Sequence, residues 1–170
     1  MYLENCSVTD TINELAAMSC GELFADYGVT LARGHFDWAA PNEPLLSSVM
    51  GFVGEHLRGT CLLACERAPL DASCPPGGRG RDWIGELANQ LIGRLKIKLL
   101  SYDVDVALTT PIVLQGIRIQ PLPKTSLEPA MFSGANGIVL AWIEVEVESG
   151  FSLPAPRPAD AGETGELMLF

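Results

Sequence analysis

The chain has 170 residues, enough for one domain with a sizeable core and requiring no second. Apolar residues make up 48 % and charged residues 19 %, a balance that excludes disorder throughout. A formal net charge of −10 opposes a nucleic-acid backbone or an anionic membrane surface as the main partner, since both repel it at long range.

The opening residues, MYLENCSVTDTINELAAM, carry neither the basic start nor the apolar run of a secretory signal, and no later run of about 18 apolar residues could span a bilayer, so the expected address is the cytoplasm. Over 9–27, Ile12, Leu15, Ala16, Cys20, Leu23 and Phe24 recur at helical intervals, predicting a helix that Thr9 or Asp10 can cap. VTLARGHFDW reads as a weak strand and AAPNEP as a turn cluster. LLSSVMGFVG and GTCLLACERA then flank the glycine-bounded GEHLRG, which is the pattern of a hairpin. The prolines and glycines of PLDASCPPGGRGRD break every periodicity, so residues 69–81 are expected to be loop. A helix is predicted over 81–100, RDWIGELANQLIGRLKIKLL.

Strands are expected in DVDVALTTPIVLQGIRI and GIVLAWIEVEVES. In the second, Ile143, Val145 and Val147 alternate with Glu144, Glu146 and Glu148, so the glutamates read as a solvated sheet face rather than an acid/base cluster. FSLPAPRPADAGETGELMLF is rich in proline and glycine, which divides the chain into a domain over 1–150 and a C-terminal tail over 151–170. Strands, a hairpin and helices without regular alternation point to an α+β fold: a single domain whose largely antiparallel sheet is covered on one face by two long helices.

Cys6, Cys20, Cys61, Cys65 and Cys74 are an odd set without a disulfide framework, which suits a reducing compartment. Cys61, Cys65 and Cys74 can be imagined as metal ligands. The segment TCLLACERAPL, which holds Cys61 and Cys65, reads as a strand, however, has no CxxC pair and does not adjoin His35 or His56, so buried thiols and no metal are the expectation.

The helix over 81–100 carries the most specific signal. At ~100° per residue, Ile84, Leu87, Ala88, Leu91, Leu95 and Leu99 fall in one core-facing stripe. Opposite its centre fall Asp82, Glu86, Asn89 and Gly93, with Gly85 at the margin. A glycine inside a helix costs ~1 kcal/mol relative to alanine. Either the two glycines pack against a neighbouring element, or they clear space for another molecule to approach Glu86 and Asn89.

DWIGELANQLIGRLKIKLL followed by VDVALTTPIVLQG resembles the signature segment of the CheX/CheC/FliY phosphatases of bacterial chemotaxis: an acidic or hydroxyl residue, three residues, Glu, two residues, Asn, and a proline some twenty residues on. Those positions here are Asp82, Glu86, Asn89 and Pro111. The hairpin SVMGFVGEHLRGTCLLACE is similar to the family's strand pair ahead of that helix, and the resemblance covers about residues 47–117.

The resemblance implies a protein phosphatase that removes the aspartyl phosphate of a response-regulator receiver domain. Glu86 would dock on a receiver lysine and Asn89 would hold a water in line with phosphorus. Gly85 and Gly93 would let the partner come close, and Arg79 and Arg81 would touch its acidic surface. Asp82 is expected to act chiefly as the helix N-cap, and Pro111 to shape the strand entry beside the helix. Magnesium would sit on the receiver, so this chain would need no metal of its own. The family also implies a homodimer, and a helix between the hairpin and the ExxN helix where this chain is expected to have only loop.

Two other readings fit parts of the sequence. PPGGRGRD ahead of a helix N-terminus can be read as an anion cradle, but it lacks a Walker or dinucleotide pattern, and Asp82 would repel the anion. The stronger rival is a non-catalytic binding or assembly module that keeps the fold. Retention of both Glu86 and Asn89 argues against it, because docking alone does not require that amide.

Overall fold

The computed structural model describes residues 7–34, 44–117, 130–134 and 137–157. Helix α1 spans Val8–Asp26 and helix α3 spans Gly80–Leu100, with a short helix α2, Arg67–Ser73, before the latter. The strands are β1 Ala32–Gly34, β2 Leu45–Gly54, β3 Leu57–Cys65, β4 Val106–Leu108, β5 Ile112–Gly116, β6 Ala130–Gly134 and β7 Gly137–Val147. They form one antiparallel sheet in the order β1-β6-β7-β3-β2-β4, with β5 also paired to β2. The expected α+β class holds.

Strand alternation assigns the two faces. Leu57, Cys61, Leu63 and Cys65 of β3 and Val139, Ala141, Ile143 and Val145 of β7 join α1 and α3 in the main core. Their neighbours Leu62, Ala64, Leu140 and Trp142 form a second, smaller cluster with Leu45 on the opposite face. The centre of the sheet is therefore buried on both sides, and only the far end of β7 shows the simple alternation. There Glu148 is exposed while Glu146 is half-buried and accepts a 2.8 Å bond from Arg58 Nε.

The hairpin turn is tighter than expected: Glu55 and His56 alone separate the strands, and Leu57–Gly59 lie within β3. Gly59 is required there, because a Cβ would come within 2.3 Å of the Phe52 ring and 2.5 Å of the Glu144 carbonyl oxygen. α1 starts one residue earlier than predicted. Its cap is Ser7, not Thr9 or Asp10, and Asp10 closes a reciprocal capping box from the third helical position.

The loop expected over 69–81 is partly helical. Pro69 stands in the first turn of α2, where backbone N–H groups have no intrahelical partner to lose. Pro69, Leu70 and Ser73 are buried, which ties α2 down. The expected absence of a helix between hairpin and α3 is thereby corrected, and the loop shrinks to 74–79. Residues 151–157 are neither helix nor strand. Phe151 and Leu153 pack on the main core, and Arg157 pairs with Asp103 while its N–H donates to the Ser101 carbonyl at 2.7 Å. Cys6, most of AAPNEP, the end of the weak strand after β1 and residues 158–170 lie outside the described residues. No helix among the described residues is long and apolar enough to cross a membrane.

Candidate functional site

α3 buries Ile84, Gly85, Leu87, Ala88, Leu91, Ile92, Leu95 and Leu99. The opposite side is a continuous stripe at steps of three and four: Asp82, Glu86, Asn89, Gly93, Ile97 and Leu100, all exposed except the half-buried Gly93. Glu86 and Asn89, three residues apart, are neighbours on this surface. The Asn89 amide makes no hydrogen bond among the described residues, so its donor and acceptor both face solvent.

Two flanks fix the helix so that this stripe points outward. On one side lies α1. The Arg94 guanidinium donates to Asp26 at 2.6 Å, Lys98 pairs with Glu22 at 3.0 Å, and the Tyr27 hydroxyl donates to Gln90 Oε1 at 2.9 Å. On the other side lie β4 and β5. Lys96 Nζ donates to the Val106 carbonyl at 2.7 Å and pairs with Asp105 at 3.0 Å, and the hydrogen bond from Lys96 holds the Asp105 carboxyl below its ordinary pKa.

The two glycines have different surroundings. A Cβ on Gly85 would lie 3.4 Å from Val113 Cγ2 and 3.8 Å from Pro111 Cγ, so this residue faces inward and marks where the helix meets the β4–β5 connection. Its expected place at the margin of the open face is corrected accordingly. A Cβ on Gly93 would meet nothing within 4 Å. Pro111, remote in sequence, thus stands directly beside the helix segment that carries Glu86.

Asp82 is not the N-cap. The chain turns at Pro75–Gly78, where the Gly78 N–H donates to the Pro75 carbonyl, and arrives extended at Arg79, whose carbonyl accepts from the N–H groups of Asp82 and Trp83. Arg79 is therefore the half-in residue, and no side chain caps the helix. Asp82 stands in the first turn, where its carboxylate complements the positive end of the macrodipole. Arg79 and Arg81 are exposed, and Arg81 lines a shallow depression with Arg67, Asp71 and Gln115.

The thiols of Cys20, Cys61 and Cys65 are buried, and Cys74 is half-buried. Burial raises the pKa of all three buried thiols above the ordinary cysteine value, that of Cys61 to about 12. No group of three or more His, Cys, Asp or Glu side chains among the described residues is arranged to hold a metal ion.

A scan against protein-family models and a search of curated proteins each found no match. Solved structures do match. The chemotaxis protein CheX from Vibrio vulnificus superposes with a TM-score of 0.68 at 20 % identity, covering 79 % of this chain and 96 % of that one. This chain has the CheC/CheX-like fold. A CheC-like superfamily protein from Shewanella sp. PV-4 superposes with a TM-score of 0.67 at 20 % identity, over 79 % of this chain and 97 % of that one. CheX from Borrelia burgdorferi, solved as a complex with CheY, BeF3 and Mg2+, gives 0.56 at 12 % identity, over 79 % of this chain and 96 % of that one.

Sequence reasoning missed two residues beside Glu86 on this helix of the CheX-like fold, Gln90 on the helix itself and Tyr27 packed against it from α1. Gln90 Nε2 donates to Glu86 Oε1 at 3.0 Å, a contact that the four-residue helical spacing could have suggested. Tyr27, which holds Gln90 from α1, left no comparable signal.

Proposed function

We propose that this chain is a phosphatase of response-regulator receiver domains. Docking would bring the α3 stripe against the phosphorylated receiver, with Glu86 pairing to a receiver lysine and Asn89 entering the active site. The Asn89 amide would orient a water by accepting from it and donating to it. The water oxygen would attack phosphorus, the bond from phosphorus to the aspartyl oxygen would break, and inorganic phosphate and a free carboxylate would result. A neutral amide suits this position because it adds no charge beside the phosphoryl group. Magnesium would be held by the receiver, and this chain would contribute geometry alone.

The observation that carries this reading is the uncommitted Asn89 amide, exposed beside Glu86 on a helix that the CheX-like fold presents outward. Gly93 gives the partner's backbone room, and Arg79 and Arg81 offer contacts to acidic surface. The complex of the Borrelia CheX with CheY supports a receiver as the class of partner. The cytoplasm, where receivers work, is the compartment this reading requires.

The test is phosphate release from a panel of phosphorylated receiver domains. Asn89→Ala should still bind but lose about a hundredfold in rate, if the amide supplies orientation worth roughly 3 kcal/mol. Glu86→Ala should weaken binding and rate together. Unchanged turnover with Asn89→Ala rejects the mechanism. Binding without turnover by the unmodified chain favours a non-catalytic docking module.

A further inference from the structure

Glu86 is exposed, yet it is held. Gln90 Nε2 donates to Glu86 Oε1 at 3.0 Å, and Gln90 Oε1 accepts from the Tyr27 hydroxyl at 2.9 Å. The direction of this chain follows from its ends. A carboxylate only accepts, so the amide nitrogen of Gln90 must face Glu86, which turns its oxygen toward the phenol. Glu86 Oε2 has no partner among the described residues.

Tyr27 is itself fixed in place. It is the C-terminal cap of α1, and its ring meets Trp83 edge-on at 5.0 Å and 89°. Trp83 Nε1 donates to Ser73 Oγ at 3.0 Å, and Ser73 Oγ donates to the Leu70 carbonyl at 2.9 Å within α2. Side chains of α1 and α3 thus meet at one exposed carboxylate, with α2 bracing Trp83 behind Tyr27, which is more support than a surface glutamate needs for solubility.

We propose that Tyr27 and Gln90 form a hydrogen-bonded relay that holds the Glu86 carboxylate in one conformation, with Oε2 presented to a cation on the docking partner. This inference rests on the receiver-docking reading above and makes Gln90 and Tyr27 positioning residues for it. An unrestrained glutamate loses rotamer freedom when it pairs with a partner, and that loss subtracts from affinity. The relay incurs that loss during folding instead, so removing it should weaken docking and leave the step at Asn89 alone.

The experiment measures Kd for a receiver domain carrying BeF3 and Mg2+, beside turnover of the same receiver when phosphorylated. Gln90→Leu should raise Kd and KM about fivefold to tenfold with kcat unchanged, and Tyr27→Phe, which keeps the ring on Trp83, about twofold to threefold. In a Glu86→Ala background neither substitution should raise Kd further, since the relay acts only through that carboxylate. Thermal melts identify any variant that has lost its fold, in which case Tyr27→Phe decides. An unchanged Kd in both variants, or an undiminished effect without Glu86, overturns the relay while leaving the phosphatase reading intact. Docking without turnover overturns the catalytic reading and leaves the Kd comparison to judge the relay. A chain that neither docks nor turns over overturns both.

Discussion

Pro111 packs against α3 at Gly85: a Cβ on that glycine would lie 3.8 Å from the proline Cγ, in ordinary contact. The proline therefore meets the helix one residue before Glu86 and holds the segment from outside the core. Proline and glycine act as a pair of surfaces, one flat and one without a side chain. Gly85→Ala should change stability little, since a gain of ~1 kcal/mol in helix propensity offsets the new contact. Gly85→Leu should cost about 1–3 kcal/mol by overpacking against Val113 and Pro111, read by chemical denaturation.

Gly93 should behave oppositely to Gly85 in function. Nothing lies within 4 Å of a Cβ there, so Gly93→Ala should stabilise the fold. The gain should approach ~1 kcal/mol. If the partner's backbone comes close at this point, the same substitution should raise KM for the receiver. A stabilised variant with unchanged KM would place the close approach elsewhere.

Because Asp82 acts through charge and not as a cap, Asp82→Asn and Asp82→Ala should lose similar amounts, about 0.3–1 kcal/mol, and less at high salt. A cap would instead tolerate asparagine. Denaturation at two ionic strengths separates the alternatives.

The pH dependence of stability has two opposed parts. The Glu148 carboxylate, 2.8 Å from His56 Nδ1, and then the charge of Glu55 raise the His56 pKa above its ordinary value. That contribution is complete below the unfolded pKa of about 6.5 and is lost as pH rises through the folded value. The hydrogen bond from Arg33 lowers the Glu14 pKa, so its contribution is present above the unfolded carboxylate pKa and lost as pH falls through the folded one. An NMR titration should place the His56 midpoint above that of the unfolded chain, and Glu148→Gln should bring it down.

Assembly and thiol chemistry can be checked on the unmodified protein. We expect a homodimer formed through a sheet edge, so light scattering should report twice the 18.2 kDa chain mass. Among the described residues, the β4–β5 edge exposes the apolar side chains of Leu108, Ile112 and Leu114. Ile112→Lys should shift the population toward monomer, and a monomer in the unmodified protein would reject this assembly. Among the described cysteines only Cys74 should react with a thiol reagent before unfolding, and elemental analysis should find no stoichiometric zinc or iron.

The amino-acid sequence by itself determined the elements whose signal is local. The apolar stripe of α3, the hairpin of β2 and β3 and the alternation at the end of β7 are periodic patterns, and a period is complete within its own segment. It also put Glu86 and Asn89 on one surface, because helical spacing alone places them there. Tertiary structure decided what has no local period. Helical phase put Gly93 opposite the core stripe and left Gly85 at its margin, and the packing of Pro111 and Val113 decided that the marginal glycine is a contact. Ser7 won the cap over Thr9 because the first turn was set by Asp10 bonding back to it, and Pro69 was no barrier to α2 once it fell in a first turn. Tyr27 reaches Gln90 across 63 positions of sequence, a partnership created by the docking of α1 beside α3. Side chains so far apart meet only when a shared core forces their helices together, and no pattern within either helix encodes the meeting.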